Sequence, residues 1–287
     1  MTMFALRYCC RRIPTSHRST REYTIALARQ VSPQIANALV MNGESQETVS
    51  YDIAHEQHQA YLSTLRTILP TLALPPLLDH PDSVFVEDTM VALGNTVVMT
   101  RPGHASRQGE VASLREIVLQ LGLQVVDMEG DATLDGGDIL YTGRHMYVGL
   151  TERTNEQGFR LLQETFQEHK VIPVQLPSGQ EALHLKSVVT HLDSETLLAP
   201  DTALGREVLS NMLDSGGYET IQLPNMLACN VVLVNGHVLA QDVDCEESKD
   251  LLRAACQERD LPIHWLDTSE LAKVDGALTC CSVLLDC

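Results

Sequence analysis

Apolar residues along the chain fall into short runs that repeat in a fixed order. Over 44–69, Tyr51, Ala54, His55, His58, Tyr61, Leu62 and Leu65 recur at three- and four-residue spacing and predict a helix. Pro70, Pro75 and Pro76 then break the pattern. A module follows: an apolar strand over 84–93, a turn at Gly94-Asn95, a second strand over 96–100, an amphipathic helix over 110–121 closed by Gly122, and a third strand over 123–128. The same order returns at 138–142, 146–150, 156–168 and 171–176. It returns again at 185–190, 196–199, 204–213 and 218–223, and once more at 229–234, 237–240, 246–259 and 261–266. Asn235-Gly236 between two apolar runs is a strong hairpin signal.

A fifth first strand begins near Leu278, and its missing parts are expected from the N-terminal region: a strand at 4–9, the helix within 44–69 and a strand at 71–74. Starts near 84, 138, 185, 229 and 278 give a period of roughly 45–55 residues, in the range of repeat architectures. The expected fold class is α/β: a closed ring of five ββαβ modules stitched by N- and C-terminal strands, as one domain over 1–287. The competing arrangement is an open βαβ sheet in two domains.

Hydrophobic residues make up 44% of the chain, enough for a sizeable core, and the net charge is -18. That charge argues against nucleic acid and anionic membranes as partners and is compatible with a small cationic substrate, although much of it serves solubility. No apolar run approaches the ~18 residues of a membrane helix. The eight cysteines form no C-x-x-C pair, and the chain carries no Asn-x-Ser/Thr sequon; reduced thiols in the cytoplasm are expected. The first 21 residues are basic and lack acids, in the manner of a transit peptide, but 4–9 also reads as the strand that the ring requires.

The repeat gives the chemistry a location. Asp82, Glu87 and Asp88 lie at or within the first strand of module one, Asp135 precedes that of module two, His184 that of module three, and Asp275 and Cys280 flank the start of the fifth. In a ring these positions converge on one axis. Cys280 is placed as a nucleophile, His184 as its proton donor and acceptor, and Asp135 as the group that orients His184. Taken alone, Cys280 and Cys281 also read as small core residues. Adjacent Glu87 and Asp88 in an apolar strand call for a cation, and a bound guanidinium meets that demand through bidentate hydrogen bonds. Arg101 and Arg153 are candidates for a substrate carboxylate.

The motifs Asp82-Ser83-Val84-Phe85-Val86-Glu87-Asp88, Thr100-Arg101-Pro102-Gly103, Leu134-Asp135-Gly136-Gly137-Asp138, Arg153-Thr154-Asn155, Leu183-His184-Leu185-Lys186-Ser187 and Val274-Asp275-Gly276 through Thr279-Cys280-Cys281 closely resemble the dimethylarginine dimethylaminohydrolase family, in its animal form. The resemblance implies the five-bladed α/β propeller of the guanidine-modifying superfamily. It also implies hydrolysis of mono- and asymmetrically dimethylated arginine to citrulline plus methylamine or dimethylamine, and in animals an indirect role in nitric oxide synthesis. By motif, Cys280 would attack the guanidinium carbon, and His184, oriented by Asp135, would protonate the leaving amine and then activate water. Asp88 and Glu87 would hold the guanidinium, Asp82 the α-ammonium, and Arg101 and Arg153 the carboxylate. Backbone groups of Val274 and Asp275 would assist, and Ile13 would belong to a lid. No cofactor or metal would be required, zinc would inhibit at Cys280 and His184, and the protein would be a monomer or homodimer. Arginine or agmatine deiminase is the alternative activity, and a partner-binding propeller with a relic pocket the non-enzymatic one. A zinc enzyme is the weakest of the alternatives.

Overall fold

The computed structural model describes residues 21–41, 48–177, 182–213 and 217–286. Its strands form three-stranded sheets, each of one pattern. In the first module β3 (Met90–Leu93) pairs antiparallel with β4 (Thr96–Met99), which pairs parallel with β5 (Gln124–Asp127) after the crossover helix α2 (Val111–Gln120). A parallel neighbour requires such a crossover. The second module repeats this with β6 (Ile139–Tyr141), β7 (His145–Leu150), α3 (Glu156–Thr165) and β8 (Lys170–Gln175). The third uses β9 (Thr190–Asp193), β10 (Thr196–Pro200), α4 (Ala203–Leu213) and β11 (Glu219–Leu223). The fourth uses β12 (Val231–Val234), β13 (His237–Gln241), α5 (Glu246–Glu258) and β14 (Ile263–Leu266). Asn235 and Gly236 join β12 to β13 with φ of 46° and 77°, the left-handed pair that a two-residue hairpin turn demands.

The fifth sheet closes the ring with both ends of the chain. Its central strand is β1 (Ile25–Arg29), antiparallel to β15 (Ser282–Leu285) and parallel to β2 (Thr71–Leu74), with α1 (Tyr51–Ile68) as crossover. The strand expected at 4–9 lies outside the described residues, and Ile25–Arg29 takes the place assigned to it. No helix among the described residues is long and apolar enough to cross a membrane.

The ring follows from the period-2 geometry of the central strands. Val97 and Val98 of β4 enter different apolar clusters, as do Met146 and Tyr147 of β7, Leu197 and Leu198 of β10, Val238 and Leu239 of β13, and Ala26 and Leu27 of β1. Each central strand thus packs against the module before it with one face and the module after it with the other. This is why these strands read as continuous apolar runs rather than alternating ones. A one-residue register slip would exchange the two faces.

The first strands start later than the hydrophobic pattern suggests. Each is preceded by a 3-10 turn: Val86–Thr89, Gly136–Asp138, Leu185–Ser187, Leu227–Cys229 and Thr279–Cys281. Glu87 and Asp88 are therefore in a turn, not within a strand. Turn and strand residues are alike buried, and a short apolar run does not distinguish the two from sequence.

Candidate active site

The turns place one polar group from every module near the ring axis. Asp88 lies in the first turn, Asp135 caps the second, His184 caps the third, Asn230 follows the fourth and Cys280 lies in the fifth. Asp88, Asp135, His184 and Cys280 line one narrow cavity together with Asp82, Phe85, Arg107, Arg153, Val274 and Asp275.

One nitrogen of the His184 ring lies between two carboxylates. Its Nε2 lies 2.9 Å from Asp135 Oδ2 and 4.0 Å from Asp88 Oδ1. Asp135 Oδ1 accepts the Gly103 amide at 2.8 Å, which fixes the carboxylate plane. Burial alone would push the imidazole pKa down, but Asp88, Asp135 and Asp138 reverse this and raise it to about 9. His184 is an imidazolium at neutral pH, ready to give a proton rather than take one. Gly137 permits the approach: a Cβ there would sit 2.7 Å from His184 Nδ1 and 3.0 Å from Asp88 Oδ1.

Asp88 has both oxygens engaged. Oδ1 accepts the Gly137 amide at 2.9 Å and Oδ2 accepts from Arg107 Nη1. Burial would raise its carboxyl, yet His184, Arg107 and the Gly137 amide bring it down to about 2. Arg107 is itself buried and forked onto Glu110, with Nε at 3.1 Å and Nη2 at 2.8 Å, and its Nη2 also donates to the Phe85 carbonyl at 2.9 Å. Buried charges survive here because each is paired and hydrogen-bonded. Asp138 performs the same service one layer out. It accepts from Thr151 and Thr154 hydroxyls at 2.8 and 2.6 Å and from the Leu185 amide at 3.0 Å, tying the second turn to the third. Burial pushes its carboxyl up to about 6 despite these donors.

Cys280 is half-buried and Cys281 fully buried. Burial pushes the Cys280 thiol far above its ordinary pKa, and Glu87 and Asp88 push it further. Cys280 is therefore a thiol, and a cation between it and the carboxylates would reverse the shift. Asn230 holds this turn in place: its Oδ1 accepts the Thr279 amide at 3.1 Å and its Nδ2 donates to the Lys186 carbonyl at 3.0 Å.

Other predicted residues lie differently. Arg153, Asp82, Val274 and Asp275 border the cavity. Arg101 does not: its side chain is exposed and donates to the Gly130 carbonyl, and the buried cation at the cavity is Arg107. Glu87 turns away from the cavity toward an axial channel behind it and pairs with Lys186 at 2.6 Å. Ile13 lies outside the described residues, and the segment that covers the cavity among them is Leu39–Val40–Met41. Asp82 Oδ1 accepts the Leu39 amide at 3.0 Å and Asp275 Oδ2 the Met41 amide at 2.6 Å. Asp275 reaches it from a left-handed backbone, φ 58°. Sequence reasoning missed Arg107, Lys186 and Asn230. Only the Arg107/Glu110 spacing at the head of an amphipathic helix carried a signal.

The ligand atoms of Asp88, Asp135 and His184 lie within 4.8 Å of one another. Asp135 and His184 bond one another, Asp88 bonds Arg107 and the Gly137 amide, and Asp135 also accepts the Gly103 amide, so the cluster is held together as an ion-pair network.

Residues 15–223 match the family described as arginine deiminase. A dimethylarginine dimethylaminohydrolase of Streptomyces coelicolor is 37% identical over 262 residues, 91% of this chain and 96% of that one. The Pseudomonas aeruginosa dimethylarginine dimethylaminohydrolase, solved as a mutant complexed with citrulline, superimposes with a TM-score of 0.78 at 28% identity, covering 92% of this chain and 100% of that chain. A dimethylarginine dimethylaminohydrolase adduct with S-methyl-L-thiocitrulline gives 0.80 at the same identity and coverage.

Proposed function

Because the chain belongs to the arginine deiminase family and, within it, to the dimethylarginine dimethylaminohydrolases, we infer that it hydrolyses Nω-methylated arginines to citrulline and methylamine or dimethylamine. The observation that carries this reading is the meeting of Cys280 with the His184–Asp135 pair and buried Asp88 in one cavity.

The substrate guanidinium enters beside Asp88, and its charge brings the Cys280 thiol down so that its proton is lost to solvent. The sulfur bonds to the guanidinium carbon. The C–N bond to the methylated nitrogen breaks, and the departing nitrogen takes the proton from His184, leaving as a neutral amine. Asp135 keeps the ring aimed and stabilises its charged form before transfer. Water then adds to the thiouronium carbon and returns a proton to His184. The C–S bond breaks, citrulline departs, and the second water proton restores the Cys280 thiol. Arg153, Arg107 and Asp82, which line the same cavity, would supply an anion site and a cation site for the amino-acid end of the substrate. This reading extends to a reducing cytoplasm, where Cys280 and Cys281 stay thiols. Zinc bridging Cys280 and His184 would remove both groups from the reaction.

The test is citrulline release from asymmetric dimethylarginine with a chelator present, comparing wild type, Cys280→Ser and Cys281→Ser. Wild type and Cys281→Ser are expected to turn over, and Cys280→Ser to lose at least about a thousandfold. A folded wild type that releases citrulline from arginine and not from the methylated substrates would replace this reading by deimination. Activity abolished by the chelator would replace it by metal catalysis.

A further inference from the structure

The turns around the axis are tied to one another by different means. Asp88 of the first module accepts the Gly137 amide of the second at 2.9 Å. The second and third are joined twice, by His184 on Asp135 at 2.9 Å and by the Leu185 amide on Asp138 at 3.0 Å. Between the third turn, which follows His184, and the fifth, which carries Cys280, no hydrogen bond passes directly among the described residues. One side chain of the fourth module spans them. Asn230 is 2% exposed. Its Nδ2 donates to the Lys186 carbonyl at 3.0 Å and to Thr279 Oγ1 at 3.1 Å, and its Oδ1 accepts the Thr279 amide at 3.1 Å. Lys186 is two residues from His184, and Thr279 directly precedes Cys280. Packing alone does not fix this distance. A cavity of about 120 Å³ lies against the same segments, lined by Leu183, Ser187, Asn230, Gly276 and Ala277 among others, whereas an interior held by packing leaves few voids larger than a water molecule. Asn230 is itself anchored from behind: its backbone amide donates to the Leu227 carbonyl at 3.1 Å, and the Cys229 carbonyl accepts from Thr190 Oγ1 at 2.5 Å.

We propose that Asn230 is a positioning residue for the reaction, the fourth module's share in the site, whose neutral amide sets the separation of Cys280 from His184. The inference rests on the hydrolase reading above. The bridge needs a donor and an acceptor on one short planar group, and among side chains of this length only asparagine carries both. An aspartate would still accept the Thr279 amide, but it would turn an oxygen toward the Lys186 carbonyl in place of a donor. It would also add a negative charge near Cys280, where Glu87 and Asp88 already push the thiol up. Attack by sulfur on the guanidinium carbon and proton transfer to the departing nitrogen need both groups in place on one substrate, so an error in their separation falls on the chemical step. Asp82, Arg107 and Arg153 belong to the first two modules, and none of the Asn230 hydrogen bonds reaches them. Binding of the amino-acid end is therefore spared.

The experiment compares wild type with Asn230→Ala and Asn230→Asp, each checked for folding by its melting temperature, with Asn230→Ser in place of the alanine variant should that one not fold. On asymmetric dimethylarginine, Asn230→Ala should lose about tenfold to a hundredfold in kcat with KM within about twofold of wild type. Asn230→Asp, although nearly the same shape, should not restore kcat. A folded Asn230→Ala with the wild-type kcat would overturn the proposal. So would a rise in KM with kcat unchanged, which would place Asn230 in binding. A second readout needs no turnover: the rate at which iodoacetamide alkylates Cys280 at one fixed alkaline pH, with the Cys280→Ser protein as background. That rate should fall about fivefold or more in Asn230→Asp, because an added carboxylate disfavours the thiolate. A rate equal to that of wild type would mean that residue 230 does not act on the nucleophile, and would also overturn the proposal. A wild type inactive on methylarginines would count against the hydrolase reading, and the alkylation rates would still decide whether residue 230 acts on Cys280.

Discussion

The catalytic cavity and the axial channel are the two ends of one construction, and they differ in how charge is carried. At the cavity, Asp88, Asp135 and Arg107 are deeply buried, yet their charged atoms meet partners on the turns around them. In the channel the walls are strand residues whose side chains are mostly apolar, and Glu87 Oε2 has no partner among the described residues. The same modules build both. The turns supply backbone amides and capping side chains that can answer a buried charge, whereas the strands have spent their amides on one another. Ionised chemistry therefore collects at the turns.

Breaking this comparison begins with the pair that sets the cavity's polarity. Asp135→Asn removes the acceptor beside His184 and should lower turnover by about a hundredfold or more, as expected for loss of a properly charged acid–base group. It should also lower the His184 pKa from about 9, read by NMR titration and by the alkaline limb of the pH–rate profile. The sign follows from linkage. The folded-state pKa of His184 is raised above its unfolded value near 6.5, so the stability it contributes is complete below that value and lost as pH rises from there through about 9. Asp88 is the opposite case: its contribution is complete above about pH 4 and lost as pH falls toward 2. Melting temperatures measured across pH should fall at both extremes in wild type, with the alkaline fall diminished in Asp135→Asn.

A smaller effect sharpens the comparison through packing. Gly137→Ala places a methyl within contact of His184 and Asp88, and such overpacking costs about 1–3 kcal/mol. Displacement of the imidazole should lower activity by more than the stability loss explains, and a denaturation midpoint beside kcat separates the two. The smallest effect is expected at the far side of the ring. Asn235 accepts the Tyr23 amide at 2.7 Å and donates to the Tyr23 carbonyl at 2.9 Å, joining the fourth hairpin to the N-terminal strand of the fifth blade. Asn235→Ala should cost about 1–2 kcal/mol, measured by urea denaturation, with kcat unchanged. A loss of kcat there would mean that the blades are not independent supports of the site.

Much of this was legible in the residues. Repeated strand–turn–strand–helix–strand order revealed the modules because apolar periodicity is a local property of the chain. Asn235-Gly236 marked its hairpin because the left-handed turn requires those residue types. Cys280, His184, Asp135 and Asp88 were found through their common position at module starts, and the structure brings them into one cavity. The reading failed where locality ends. Arg101 and Arg107 both lie between one module's second strand and its helix, set apart in sequence only by the spacing of Arg107 from Glu110, and packing against Glu110 and Asp88 buries one and leaves the other in solvent. Adjacent Glu87 and Asp88 were read as one guanidinium clamp, but a 3-10 turn directs them to different spaces.

By itself, then, the amino-acid sequence determined the α/β class, the five-fold repeat and the residue types on which the chemistry depends, since propensity, periodicity and turn geometry act over a few residues. The tertiary structure decided which N-terminal segment closes the ring, which arginine faces the cavity, which oxygens are satisfied and which way each carboxylate looks. Those outcomes depend on burial and on partners far apart in sequence, such as His184 and Asp135 or Asn230 and Thr279. A charge in a protein takes its pKa and its role from those partners, which the local sequence does not contain.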